Sequence, residues 1–92
     1  MSSPDWVSFE GTDYQCRPPR KGHLVAFYLN EDSLEDWFPA LITKVNTPTR
    51  VHLSVFEPNG HTIRKSVDRA TDDRIKYRWL PLDVAHQIEE DS

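Results

Sequence analysis

The segment "RVHLSVFEPNGHTIRKSV", residues 50–67, constrains the fold more than any other part of the chain. Val51, Leu53 and Val55 alternate with His52, Ser54 and Phe56, which is the period-two pattern of a strand with one buried face. "EPNG" then supplies turn chemistry, because Pro58 presets φ for the second position of a turn and Asn59 and Gly60 tolerate positive φ. A hairpin centred on Asn59 and Gly60 is therefore expected to join residues 50–56 to 61–67. One hairpin cannot cover its own apolar face, so the flanking segments must supply further strands.

Those segments read as strands too. In "HLVAFYLN", Leu24, Ala26 and Tyr28 fall on one face and Val25, Phe27 and Leu29 on the other. Both faces are apolar, so this strand is covered on both sides or sits where a sheet curls on itself. "NEDSLED" is a polar loop, and "WFPALITKV" (37–45) follows as a strand. Pro39 has no N–H to give a ladder, which implies an edge position, a bulge, or a true start at Ala40. "NTPT" is a turn. "DRATDDR" is a polar loop or a single helical turn capped by Asp68. In "IKYRWLPL", Ile75, Tyr77 and Trp79 alternate with Lys76 and Arg78, giving a last short strand ended by Pro81. Residues 83–92 form a short helix, with Asp83 as N-cap and Val84 and Ile88 at i, i+4, or a frayed acidic tail.

Residues 1–22 show no sustained period and read as an N-terminal arm, part of which docks through Trp6, Val7 and Phe9. Five short strands with turn signals between them, and no long amphipathic helix, define the expected fold class. It is mostly β: a small SH3-like barrel over residues 23–82, with the arm before it and the short helix or tail after it. At 92 residues the chain has room for one domain and one modest core, to which its ten aromatic residues contribute heavily.

Residues 20–82 resemble a group of small, functionally unassigned proteins encoded by tailed bacteriophages and prophages. The resemblance lies in "KGHLVAFY", "PALITKV", "VHLSVFEPNG" and "RWLPL". It implies a phage-associated small barrel and transfers no catalytic residue, cofactor or partner. Those proteins tend to end in tryptophan–histidine–tryptophan–proline. This chain has "YRWLP" there, so no role of that histidine carries over.

The net charge of −4 argues against broad electrostatic attraction to nucleic acid or anionic membrane. The charge is unevenly distributed, however: residues 61–78 hold six basic and three acidic groups. No run approaches the ~18 apolar residues of a membrane span, and the N-terminal stretch lacks the pattern of a signal peptide. With a single cysteine, Cys16, no intrachain disulfide or cysteine-based zinc cage can form. The expected setting is the cytoplasm, which the phage resemblance implies to be that of the host.

Chemistry-bearing motifs are scarce. His23, His52, His61 and His86 show no H-x-H or H-E-x-x-H spacing and read as surface histidines, so no metal and no cofactor is expected. Glu31, Asp32, Glu35 and Asp36 lack the glycine and ligand spacing of a calcium loop and read as a solvated loop that can steer a basic partner. Cys16 has no base fixed near it. No phosphate loop, nucleophile elbow or paired-carboxylate motif is present, and the chain is not expected to be an enzyme.

Protein recognition is the leading functional expectation: a non-enzymatic, phage-associated module that engages a host protein or self-associates. Its anchors would be Tyr28, Trp37 and Phe38, with Glu35 and Asp36 steering a basic surface. A nucleic-acid binder using Arg64, Lys65, Arg69 and Arg78 is the alternative. These lie in a basic segment that also holds Arg74 and Lys76 and is interleaved with Tyr77 and Trp79. Against it, strand alternation places both rings opposite Lys76 and Arg78, in the core. A small virion structural component, seen as a homo-oligomer, is the second alternative.

Overall fold

A computed structural model describes residues 6–29 and 36–91. Its elements are β1 (Trp6–Phe9), β2 (Thr12–Gln15), β3 (Leu24–Tyr28), β4 (Trp37–Val45), β5 (Arg50–Glu57), β6 (Gly60–Asp68), β7 (Arg78–Pro81) and α1 (Leu82–Asp91). The first two strands pair as a separate hairpin, and the other five form an antiparallel sheet in the order β6-β5-β4-β3-β7. The mostly-β expectation holds at this level. The sheet is not a closed barrel: β6 and β7 remain its two edges, and they approach through an isolated bridge between Arg69 and Trp79.

β3 is apolar on both faces because it separates two cores. Val25 and Phe27 join Ala40, Ile42, Val51, Leu53, Val55, Val67 and Trp79 on the concave side of the bent sheet. Ala26 and Tyr28 face the other way, against Val7, Phe9, Tyr14 and Cys16 of the N-terminal segment and Val84, Ala85 and Ile88 of α1. The i, i+4 pair Val84 and Ile88 is thus the buried stripe of a helix that starts one residue before Asp83. Packing of that stripe stabilises a helix too short to persist alone.

Within the segment read as an arm, residues 6–15 form a folded hairpin. Phe9 pairs with Thr12, so Glu10 and Gly11 form a two-residue turn, with φ of 51 and 82 respectively. That is the conformation of a tight hairpin turn, but glutamate is an unusual residue for it, and the strands are only four residues long. Val7 and Phe9 are buried, as their docking role requires, whereas Trp6 is exposed.

Pro39 pairs with Ala26 on the β3 side, while the ladder to β5 begins only at Ala40. Of the three explanations raised by the sequence, the locally open edge applies: β4 starts at Trp37, and its first three residues have no ladder pairs with β5. The β5–β6 turn is shifted by one residue from its expected centre. Glu57 pairs with Gly60, which leaves Pro58 and Asn59 as the turn, and His61 opposes Phe56.

Two irregularities bend the sheet around His52. The register shifts between Ile42 and Lys44 on β4, and again on β6 where it faces Val51 to Leu53. Each adds one residue to its strand, and such bulges sharpen local twist. The concave core is closed at the end of β6 by Trp79, which is 1% exposed and donates from Nε1 to the carbonyls of Thr49 and Val67, both at 3.1 Å. "DRATDDR" is a turn in which Thr71 bridges to Arg74, with Ala70 buried beneath it.

Candidate nucleic-acid interface

The bulge on β6 decides which of its side chains turn inward. Val51 opposes Val67, but Leu53 opposes Arg64, three residues back rather than two, with Ser66 at φ 53 between them. Val67 and Arg64 therefore both lie on the concave face, which an unbroken strand would forbid. Arg64 reaches the edge of the core there. Its Cζ lies 5.5 Å from the centroid of the buried Phe27 ring and 5.4 Å from that of Tyr77, within the range of cation–π attraction. Its Nε is buried and has no hydrogen-bond partner among the described residues.

The approach to β7 completes the site. Tyr77 has φ 59, a left-handed conformation that is uncommon for a residue with a bulky side chain. Its N–H donates to the Tyr28 carbonyl at 2.7 Å. The alternation expected through Ile75, Tyr77 and Trp79 breaks at this residue, because the strand proper begins at Arg78. Trp79 enters the core as expected, but Tyr77 does not. Its ring is 51% exposed and lies 5.1 Å from Lys76 Nζ.

Between these two elements runs a cleft of about 410 Å³ lined by Phe27, Arg64, Ser66, Tyr77 and neighbouring polar side chains. Among the described residues five cations border it, namely Arg64, Lys65, Arg74, Lys76 and Arg78, against the single carboxylate of Asp68. Asp68 is already engaged. It accepts from Arg50 Nε at 2.8 Å and pairs with Arg78 Nη1 at 3.1 Å. The Arg50 hydrogen bond is the main cause that holds its carboxyl below the usual range, with Arg78 adding to the effect. Asp68 thus offsets Arg78, and among the described residues no carboxylate pairs with Arg64, Lys65, Arg74 or Lys76 at the cleft.

Of the four basic residues singled out by sequence, the cleft collects Arg64, Lys65 and Arg78. Arg69 is turned away to the β1–β2 hairpin, where Nη2 donates to the Trp6 carbonyl at 3.2 Å. It lies beyond the bulge and is itself a partner in the edge bridge to Trp79, and its side chain serves the N-terminal hairpin. Phe27, Arg74, Lys76 and Tyr77 complete the set. Arg74, Lys76 and Tyr77 were visible as part of a basic run, but the positive φ that exposes Tyr77 has no signature in "RIKYR".

The expected protein-binding anchors are arranged differently. Tyr28 is fully buried at 0% exposure and cannot anchor a partner. It lies under α1 because β3 is covered on that face. Trp37 is half-buried against the same core. Its Nε1 donates to Glu89 Oε1 at 2.7 Å, and its ring meets His86 edge-on with centroids 5.6 Å apart. Phe38 is half-buried against the concave core, Asp36 is exposed, and Glu35 lies outside the described residues. The three rings point into two different cores and do not form one surface.

Among the described residues no group of three His, Cys, Asp or Glu side chains converges as metal ligands would. Among the same residues, no helix is long and apolar enough to cross a membrane. No protein-family model, curated protein or solved structure matches the chain.

Proposed function

We propose that this protein is a small, non-enzymatic module that binds nucleic acid through the cleft between β6 and the start of β7. The observation that carries the reading is the collection of five cationic side chains around one concave site, next to two aromatic rings, in a chain whose net charge is −4. An acidic protein has no general attraction for a polyanion, so a concentrated basic cleft gives it a localised one. Arg64, Lys65, Arg74 and Lys76 contact phosphates in this reading, while Arg78 is held in place by Asp68. The SH3-like character and the phage association belong to the same proposal. They are supported by the five antiparallel strands of one sheet whose edges meet at an isolated bridge and by the resemblance carried by residues 20–82. Recognition of a host protein through Tyr28, Trp37 and Phe38 is less well supported, since their rings pack inward.

Fluorescence anisotropy of a labelled oligonucleotide titrated with the protein across a salt series tests this function. If about four phosphates are neutralised, affinity for a single strand falls about 50-fold between roughly 50 and 200 mM salt. Replacing Lys65 by alanine lowers that salt slope by about 0.7. Absence of any anisotropy change at low salt removes the proposal.

A further inference from the structure

Among the described residues, three other than glycine have positive φ: Glu10, Ser66 and Tyr77. Glu10 sits in a tight hairpin turn, where that conformation is ordinary. The other two both line the basic cleft. Strained backbone persists only where surrounding structure over-determines it, and it concentrates at binding sites. For Tyr77 the over-determining contact is the 2.7 Å hydrogen bond from its N–H to Tyr28, a residue locked under α1. The effect is specific. In a regular strand Tyr77 would share the buried face of Trp79, whereas here its ring stands half-exposed among cations.

We infer that Tyr77 is a stacking platform for an unpaired base, which makes the cleft selective for single-stranded over double-stranded nucleic acid. This rests on the nucleic-acid reading above and names the form of nucleic acid that the site takes. Every base has a π-face, and an aromatic ring beside a cationic track binds single strands with little regard to sequence. A duplex hides those faces inside its stack and offers this cleft only phosphates. Arg64 is drawn to the same place by the Phe27 ring, whose centroid lies 5.5 Å from its Cζ. A base placed on Tyr77 would leave the neighbouring phosphate within reach of the guanidinium N–H groups. Lys76, fully on the surface, can exchange its contact with the ring for a phosphate.

The experiment compares a labelled single-stranded oligonucleotide, the duplex of the same sequence, and polyphosphate as a polyanion without bases. Wild-type protein is set beside Tyr77→Asn, which tolerates positive φ but has no ring, and Tyr77→Phe, which keeps the ring. The single strand is expected to bind more tightly than the duplex. Tyr77→Asn is expected to weaken single-strand binding by about 5- to 150-fold, the range that alanine substitution gives for a stacked base. Polyphosphate binding should be unchanged by that substitution, and Tyr77→Phe should bind the single strand as the wild type does. Equal affinity for duplex and single strand overturns the inference while leaving the nucleic-acid reading standing. So does a Tyr77→Asn variant that binds the single strand normally, or one that loses single strand and polyphosphate alike. If wild-type protein binds neither oligonucleotide at low salt, the nucleic-acid reading itself falls.

Discussion

The indole Nε1 of Trp37, in the first position of β4, donates a 2.7 Å hydrogen bond to Oε1 of Glu89 near the end of α1, 52 residues further along the chain. The helix is thereby tied to the sheet at both ends, through its chain connection to β7 and through this bond. His86, one turn earlier, meets the same ring edge-on and lies 3.9 Å from the other carboxylate oxygen of Glu89. Trp37 is accordingly a structural clasp, and its substitution separates stability from binding.

Trp37→Ala is expected to cost about 2–3 kcal/mol in unfolding free energy, less than the ~3–5 kcal/mol of a fully buried tryptophan because the ring is half-buried. Trp37→Phe keeps most of the packing and loses the charge-assisted bond, at about 1 kcal/mol. Urea denaturation of both variants, with oligonucleotide affinity measured alongside, checks this. Affinity unchanged in both is the expected companion result.

Tyr28 carries a buried hydroxyl without a hydrogen-bond partner among the described residues. Removing such a group relieves a desolvation penalty, so Tyr28→Phe should leave stability unchanged or raise it by up to about 1 kcal/mol. Burial, and secondarily the nearby Glu89 carboxylate, push its ionisation well above the usual tyrosine range. The neutral form is therefore favoured in the folded state. Its contribution is complete below about pH 10, where an unfolded tyrosine ionises, and is lost as pH rises beyond that. Thermal melts across this alkaline range should fall less steeply for Tyr28→Phe than for the wild type.

Asp68 is the one acid on the cleft among the described residues, and its carboxyl is held low by Arg50 and Arg78. Its stabilising contribution is present above the ordinary aspartate value near 3.9 and is lost as pH falls through the lower folded value. Asp68→Asn should lower the melting temperature slightly at neutral pH and flatten its acid dependence. The same substitution releases Arg78 and should tighten oligonucleotide binding about two- to fivefold. Weaker binding by this variant would place Asp68 among the groups that shape the site.

Arg64 combines a buried, unpartnered Nε with two aromatic neighbours. Replacing it with methionine keeps a long apolar stem on that face and removes the buried, unpartnered Nε. Arg64→Met is therefore expected to leave stability within about 1 kcal/mol of the wild type, the relief of an unsatisfied donor offsetting the lost ring contacts. Oligonucleotide affinity should fall at the same time. Arg64→Lys should rescue affinity only in part, since an ammonium lacks the planar fork and the stacking of a guanidinium. Denaturation and anisotropy on the same preparations read both effects.

Much of the framework was legible in the chain because it is local. The alternation of Val51, Leu53 and Val55, the turn at "EPNG", the doubly apolar "LVAFY" and the i, i+4 pair of α1 all depend on residues within one element. Each identified its strand, turn or helix. The N-terminal hairpin escaped the reading because its strands are four residues long and its turn uses glutamate where glycine or asparagine is usual. Closure of the sheet is not legible in the same way, since strand count and length do not determine whether two edges pair along a ladder or meet at one bridge.

The site was set by tertiary structure for the same physical reason. Which face a strand residue occupies depends on register, and one extra residue on β6 turned Arg64 toward Phe27. One positive φ, fixed by a bond to Tyr28, turned Tyr77 outward while Trp79 two residues later stayed buried. The sequence by itself determined that Arg74, Lys76 and Arg78 alternate with Ile75, Tyr77 and Trp79 at the end of a basic segment. Only the packed sheet, with its bulge and its strained turn, decided that Arg64, Lys76 and Tyr77 face one cleft, that Arg69 leaves it, and that Trp37 belongs to the helix.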